Sequence, residues 1–155
     1  MARILVLGYG NPLRRDDGLG WQIAVQLFRA NTSLEIEILP CHQLTPELAD
    51  SVSHADAVFF IDSTRQGVPG EFRCVEIPPQ TGPLPLTHDL SPAALLDLSS
   101  ELFGSCPRAY LLTICGESFE AGESLSPIVV SRLPQLKAHL RELIEEELHK
   151  SLAAR

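Results

Sequence analysis

Strand-like and helix-like segments alternate along this chain, which predicts an α/β fold in three layers, with helices on both sides of a mostly parallel sheet. Two further observations support this class. Residues 3 to 7, RILVL, are almost continuously apolar, as a strand covered on both faces must be. The chain has 155 residues, 45% of them hydrophobic, which suffices for one domain with a real core. The whole chain, 1 to 155, is therefore expected to form a single domain.

The elements follow in order. After the first strand, GLGWQIAVQLFRA repeats Leu19, Ile23 and Leu27 at helical spacing and predicts an amphipathic helix. LEIEIL, 34 to 39, alternates as a strand does. Thr45, Pro46 and Glu47 read as a helix cap followed by proline in the first turn. AVFFID, 57 to 62, is a buried strand ending in an acid, and GEFRCVEI, 70 to 77, alternates as an edge strand does. The link between these two is too short for a crossover helix, so the second should run antiparallel to the first. Residues 78 to 90 form a proline-rich loop. Ser91 caps a helix with Pro92 at its first position, and Gly104 ends it. RAYLLTIC, 108 to 115, is the last strand. Ser126 and Pro127 open the final helix, whose apolar face is Leu133, Leu136, Leu140, Leu143, Ile144 and Leu148. Pro134 should kink or break it.

Charge and composition exclude several classes. A formal net charge of −8 argues against a nucleic-acid partner, which would need a basic face. No apolar run reaches the ~18 residues of a membrane span, and the N-terminal run is too short for a secretory signal, so a cytoplasmic protein without a membrane partner is expected. Cys41, Cys74, Cys106 and Cys115 form no CxxC pair, and all four read as buried, reduced thiols.

The stretch LGYGNPLRRDDGLG, 7 to 20, carries the chemistry. A dinucleotide fingerprint GxGxxG fails here, because Leu13 stands where its third glycine should be. Two aspartates at the helix start would also repel a pyrophosphate. Asp16 and Asp17 have a plain reading as helix caps, Asp62 as a turn former and His88 as a solvated loop residue. Together they suggest more. If the first and third strands are parallel neighbours, Asp17 and Asp62 share one rim, and His88 reaches it when its loop folds over. Two carboxylates and an imidazole make a three-ligand transition-metal site with open positions, suited to Ni, Zn, Co or Fe.

The motifs GYGNPLRRDDGLG, FFIDSTRQGVPGEF, THDLSPAALL and ICGESFEAGESLSP, in this order, resemble those of the hydrogenase maturation endopeptidases of nickel–iron hydrogenases. The resemblance spans nearly the whole chain. CHQLTPEL, 41 to 48, is similar to the members that serve bidirectional NAD-reducing hydrogenases. The resemblance implies a five-stranded α/β/α fold with one antiparallel strand. It implies a peptidase that cuts a C-terminal extension from the nickel-loaded precursor of the hydrogenase large subunit. Asp17, Asp62 and His88 map onto that family's nickel-contacting and catalytic positions, with Asp17 where many members carry Glu. The nickel then arrives with the substrate, and no permanently bound cofactor is expected. Whether it polarises the scissile carbonyl, or only marks the substrate while water and an acid such as Asp16 do the chemistry, stays open at this stage. Two other readings remain: a nickel-checking chaperone that does not cut, and a hydrolase with its own metal.

Overall fold

A computed structural model describes residues 3–78 and 90–153. Five strands form one sheet: β1 (Ile4–Tyr9), β2 (Ile36–Cys41), β3 (Ala57–Thr64), β4 (Phe72–Glu76) and β5 (Arg108–Cys115). Their spatial order is β2-β1-β3-β5-β4. The first four in that order are parallel, and β4 alone is antiparallel. The helices are α1 (Leu19–Ala30), α2 (Leu48–Ser53), α3 (Pro92–Phe103) and α4 (Pro127–Ala153).

Alternation along the strands builds two cores. Ile4, Val6, Phe59 and Ile61 point to one face, where they meet Ile23 of α1 and Leu133, Leu136 and Leu140 of α4. Leu5, Leu7, Val58 and Phe60 point to the other, against Val52 of α2 and Leu95 and Leu96 of α3. This is the expected three-layer class.

One local expectation holds with an unexpected neighbour, and three need correction. Strand β4 does run opposite to β3, but β5 lies between them and supplies its hydrogen bonds. Connection length fixed the direction, while a strand formed later in the chain took the adjacent place. Thr45 does not cap α2: Thr45 to Leu48 form a turn, closed by the Leu48 N–H donating to the Thr45 carbonyl at 3.1 Å, and the helix begins only at Leu48. Pro134 does not break α4, which runs unbroken through it for 27 residues. The ring lies on an exposed side, so the carbonyl it leaves unpaired, that of Val130, belongs to a residue open to solvent. Only Cys115 is buried, and Cys106, two residues before β5, is exposed. Helix α3 matches its sequence signals: the Ser91 side chain accepts from the Ala94 N–H at 3.1 Å, and Gly104 ends the helix at φ +71°.

One glycine sets how closely α1 approaches the sheet. A Cβ on Gly20 would lie 2.2 Å from the Ile61 carbonyl oxygen and 2.5 Å from that of Tyr9. A helical Gly→Ala change ordinarily stabilises by about 1 kcal/mol. Here the obstacle is strand backbone, which cannot step aside, so Gly20→Ala should instead cost about 3 kcal/mol or more. Urea denaturation checks the sign.

Candidate functional site

The strand ends build the site. β1 and β3 are in register, with Leu7 opposite Phe60 and Gly8 opposite Ile61. One step further, Tyr9 and Asp62 leave the sheet on the same side as Leu7 and Phe60. Gly10 follows at φ +143°, a backbone state that L side chains rarely adopt, and a Cβ there would strike the Asp17 carbonyl at 1.9 Å. The chain thus turns back on itself and enters a short 3-10 turn, Arg15–Gly18, ahead of α1. That turn carries both aspartates.

They face different surroundings. Asp17 is partly buried, and its Oδ2 accepts the Asn11 N–H at 3.0 Å. It lines a cavity of about 280 Å³ with Tyr9, His42, Leu44, Asp62 and Leu90. The cavity opens at the carboxyl ends of β1, β2 and β3, where ligand sites form in open α/β sheets. Asp62, sixth of the eight residues of β3, accepts the Ser63 N–H at 2.8 Å. Burial drives its pKa up to about 7, the Asp17 charge adds to the rise, and the Ser63 N–H and the Tyr9 hydroxyl oppose it. Burial and the nearby Asp62 charge likewise push the Tyr9 phenol well above its usual range.

Asp16 is fully buried and lines no part of this cavity. Its carboxylate accepts from the N–H groups of Glu117 (2.8 Å), Ser118 (3.0 Å) and Ser126 (2.7 Å), and from the Ser126 hydroxyl (2.7 Å). Burial alone would raise its pKa, but these donors outweigh it and hold the group below the usual carboxylate value. Neither aspartate caps α1, since no side-chain cap bond forms at either helical start. The capping reading fails because Asp16 turns away from its own helix to tie down the loop before α4.

The structure therefore brings Asp17 and Asp62 to one cavity and separates Asp16 from both. His88 lies outside the described residues, as does most of the proline-rich loop. Among the described residues, no three His, Cys, Asp or Glu side chains are grouped closely enough to hold a metal ion. Sequence reasoning did not single out Tyr9. The available signal was its place as the one polar-tipped residue ending an apolar strand.

No protein-family model and no curated protein sequence matches the chain. Solved structures do. The hydrogenase maturating endopeptidase HybD from E. coli aligns at 25% identity over 93% of each chain, with a TM-score of 0.72. The [NiFe] hydrogenase maturation protease HycI from Thermococcus kodakarensis aligns at 26% identity over 96% of this chain and 93% of its own, with a TM-score of 0.71. A hydrogenase 2 maturation peptidase from a Thaumarchaeota archaeon shares the fold at 22% identity, with a TM-score of 0.65. The structural neighbours of this chain are thus hydrogenase maturation proteases, and its five-stranded mixed α/β fold matches theirs.

Asp62 and Asp16 should respond oppositely to substitution. Between an unfolded value of about 4 and its folded value of about 7, Asp62 keeps a proton that the unfolded chain releases. Its contribution to stability therefore falls as pH rises through that window, and the full penalty stands above pH 7. Asp62→Asn retains an oxygen for Ser63 and removes the titration. Its stability advantage over wild type should grow from about pH 4 to about pH 7 and then level off, by about 1.4 kcal/mol per pH unit at most. Parallel thermal-melt profiles for the two proteins would contradict this. Asp16, whose folded pKa is depressed, stabilises above its unfolded pKa and loses that contribution as pH falls through its folded value. Asp16→Asn should cost about 3 kcal/mol at neutral pH, because a carboxamide offers one acceptor to four donors. Asp17→Asn, with a single donor in place, should cost under about 1 kcal/mol.

Proposed function

We propose that this chain is an endopeptidase that removes the C-terminal extension from the nickel-loaded precursor of a nickel–iron hydrogenase large subunit. The observation that carries the reading is the pair Asp17 and Asp62 in one open cavity at the carboxyl ends of β1 and β3. The likeness to HybD and HycI along almost the full chain supports the reaction class. On this reading Asp17, Asp62 and His88 meet the nickel that the precursor brings, and the nickel belongs to the substrate. Asp17 and Asp62 supply hard oxygen donors from a rigid strand end and a tight turn. Asp16 keeps the turn in place and takes no part in the cleavage. On this reading the protein works in the cytoplasm.

The burial that raises the Asp62 pKa gives nickel engagement a pH dependence. A carboxyl group must lose its proton to bind a metal. Engagement of the nickel-loaded precursor should therefore weaken as pH falls below about 7, where free Asp62 takes up a proton. A pull-down of the precursor across pH 5.5 to 8 reads this directly.

Incubation with precursor, followed by mass spectrometry of the product, tests the activity. Wild type should shorten the nickel-loaded precursor and leave the nickel-free one intact. Asp17→Asn, Asp62→Asn and His88→Ala should stay folded and lose cleavage by about a hundredfold or more, the scale of removing a positioned group at a reacting centre. A nickel-dependent complex without cleavage would instead mark a checking chaperone. Cleavage of nickel-free precursor, by a protein that purifies with stoichiometric metal, would mark a hydrolase with its own metal.

We assign precursor choice to the segment after β2, in the manner of members serving bidirectional NAD-reducing hydrogenases. His42, Gln43 and Leu44 line the cavity that the precursor tail must enter. Exchanging residues 41 to 45 for those of a member serving another hydrogenase should change which precursor is cut. Unaltered choice in a competition between two precursors would remove the segment from this role.

A further inference from the structure

The loops after β3 and β5 hold an arginine for which the cleavage reading has no role. The Arg65 guanidinium carbon lies 3.9 Å from the centre of the Phe119 ring, over its face. Arg65 is exposed and Phe119 partly buried. Stacking engages only the flat face of a guanidinium, so its N–H donors, which lie in the plane, stay available. Among the described residues, Arg65 is paired with no carboxylate.

Both partners are anchored one residue away. The carbonyl of Thr64, just before Arg65, accepts the Gly116 N–H at 2.9 Å. Ser118, just before Phe119, donates its N–H to the Asp16 carboxylate at 3.0 Å, and its carbonyl accepts the Asp16 N–H at 3.0 Å. Gly116 leaves room for the ring, since a Cβ there would lie 2.5 Å from Phe119 Cζ. The contacts that hold Asp16 therefore also fix the platform under Arg65. An arginine already resting on a fixed ring has less rotamer freedom left to lose when a ligand binds it.

The strand order β2-β1-β3-β5-β4 places this pair on the rim of the cavity. The His42 segment leaves the sheet after β2, Arg65 after β3 and Phe119 after β5. The His42 segment thus lies on one side of Asp17 and Asp62, and the stacked pair on the other. Arg65 follows Asp62 by three residues, about 10 Å of extended chain, and a peptide lying across the rim covers that span in about three residues of its own. Two carboxylates in the cavity repel any further acidic group on such a peptide. A guanidinium fork beside them supplies the opposite charge in the planar geometry that a carboxylate fits.

We propose that Arg65, held on Phe119, binds a carboxylate of the C-terminal extension that the protein removes. This assignment rests on the cleavage reading and makes Arg65 a specificity-determining residue for the segment beyond the cut. The carboxylate comes from the C-terminus of the extension or from an acidic side chain within it, and the fork accepts either.

Steady-state cleavage of the nickel-loaded precursor tests this, with its affinity for the protein read alongside by interferometry and the folding of each variant by circular dichroism. Arg65→Gln should raise KM and Kd about fivefold, the upper end for an exposed ion pair, and leave kcat unchanged, as the loss of uniform binding does. Arg65→Lys keeps the charge without the fork and should fall between. Phe119→Leu removes the platform and should also raise KM. Two altered precursors identify the carboxylate, one ending in a C-terminal amide and one with the acids of its extension changed to the corresponding amides. Wild type should bind the altered precursor that lacks the recognised carboxylate as weakly as Arg65→Gln does, and with both changes combined the two proteins should no longer differ. Equal KM and Kd for wild type and Arg65→Gln overturn the proposal. So does a loss confined to kcat, or a difference that survives in the precursor carrying both changes. Binding without cleavage overturns the cleavage reading instead, and the affinities of wild type and Arg65→Gln still decide whether the fork holds the precursor. A wild type that neither binds nor cuts the precursor overturns both.

Discussion

The Asp16 carboxylate accepts four hydrogen bonds from residues 101 to 110 positions further along the chain, and the geometry of the site depends on them. Around that carboxylate, three more backbone bonds bind the 3-10 turn region to the loop after β5: Arg15 N–H to Gly122, Asp16 N–H to Ser118, and Gly122 N–H to Leu13. Arg15 is held at φ +46°, the only described non-glycine residue with positive φ. A conformation of that kind carries a cost of order 1 kcal/mol or more and persists only where its surroundings fix it. Here the fixing contacts are visible, and the next two residues in the chain are Asp16 and Asp17. One aspartate is immobilised in the interior so that its neighbour is aimed outward.

The cavity then combines two kinds of support. Asp62 comes from a strand paired on both sides, so its position is set by the sheet. Asp17 comes from a turn that the last loop braces. A carboxylate kept from water with another carboxylate nearby is an unfavourable arrangement for an empty protein. The same arrangement favours a cation, which relieves the repulsion and replaces the proton. The fold thus stores at this rim an imbalance that a bound cation would remove. On the proposed reading, stability and function pull in opposite directions at Asp62, as they commonly do at sites that must be ready for a ligand.

Much of the architecture was legible because local pattern and global fold agree. Strand β5 begins and ends where its apolar run does, and α3 carries both its start signal and its stop signal. Parallel neighbouring strands share a rim, and β1 and β3 are such neighbours. What sequence did not reveal depends on long-range contacts. The neighbour of β4 is decided by a strand more than thirty residues later. The role of Asp16 is decided by a loop beyond β5, and nothing beside it in sequence distinguishes it from Asp17. Pro134 is tolerated because of which way its side of α4 faces, a tertiary fact. Tyr9 joins the site only through its register with Asp62.

The span between Asp16 and its donors also fixes an order of events during synthesis. The turn bearing both aspartates leaves the ribosome among the first residues, while Ser126 follows only after every strand has been made. Until the loop from Glu117 to Ser126 has been made, the Asp16 carboxylate lacks these partners, and water solvates it. Domains fold as units once their chain is available, and contacts this distant in sequence form late. A nascent or C-terminally truncated chain therefore carries the full glycine and aspartate motif without the brace that shapes it. The brace behind the rim of the cavity can close only after the loop that precedes the last helix has been made.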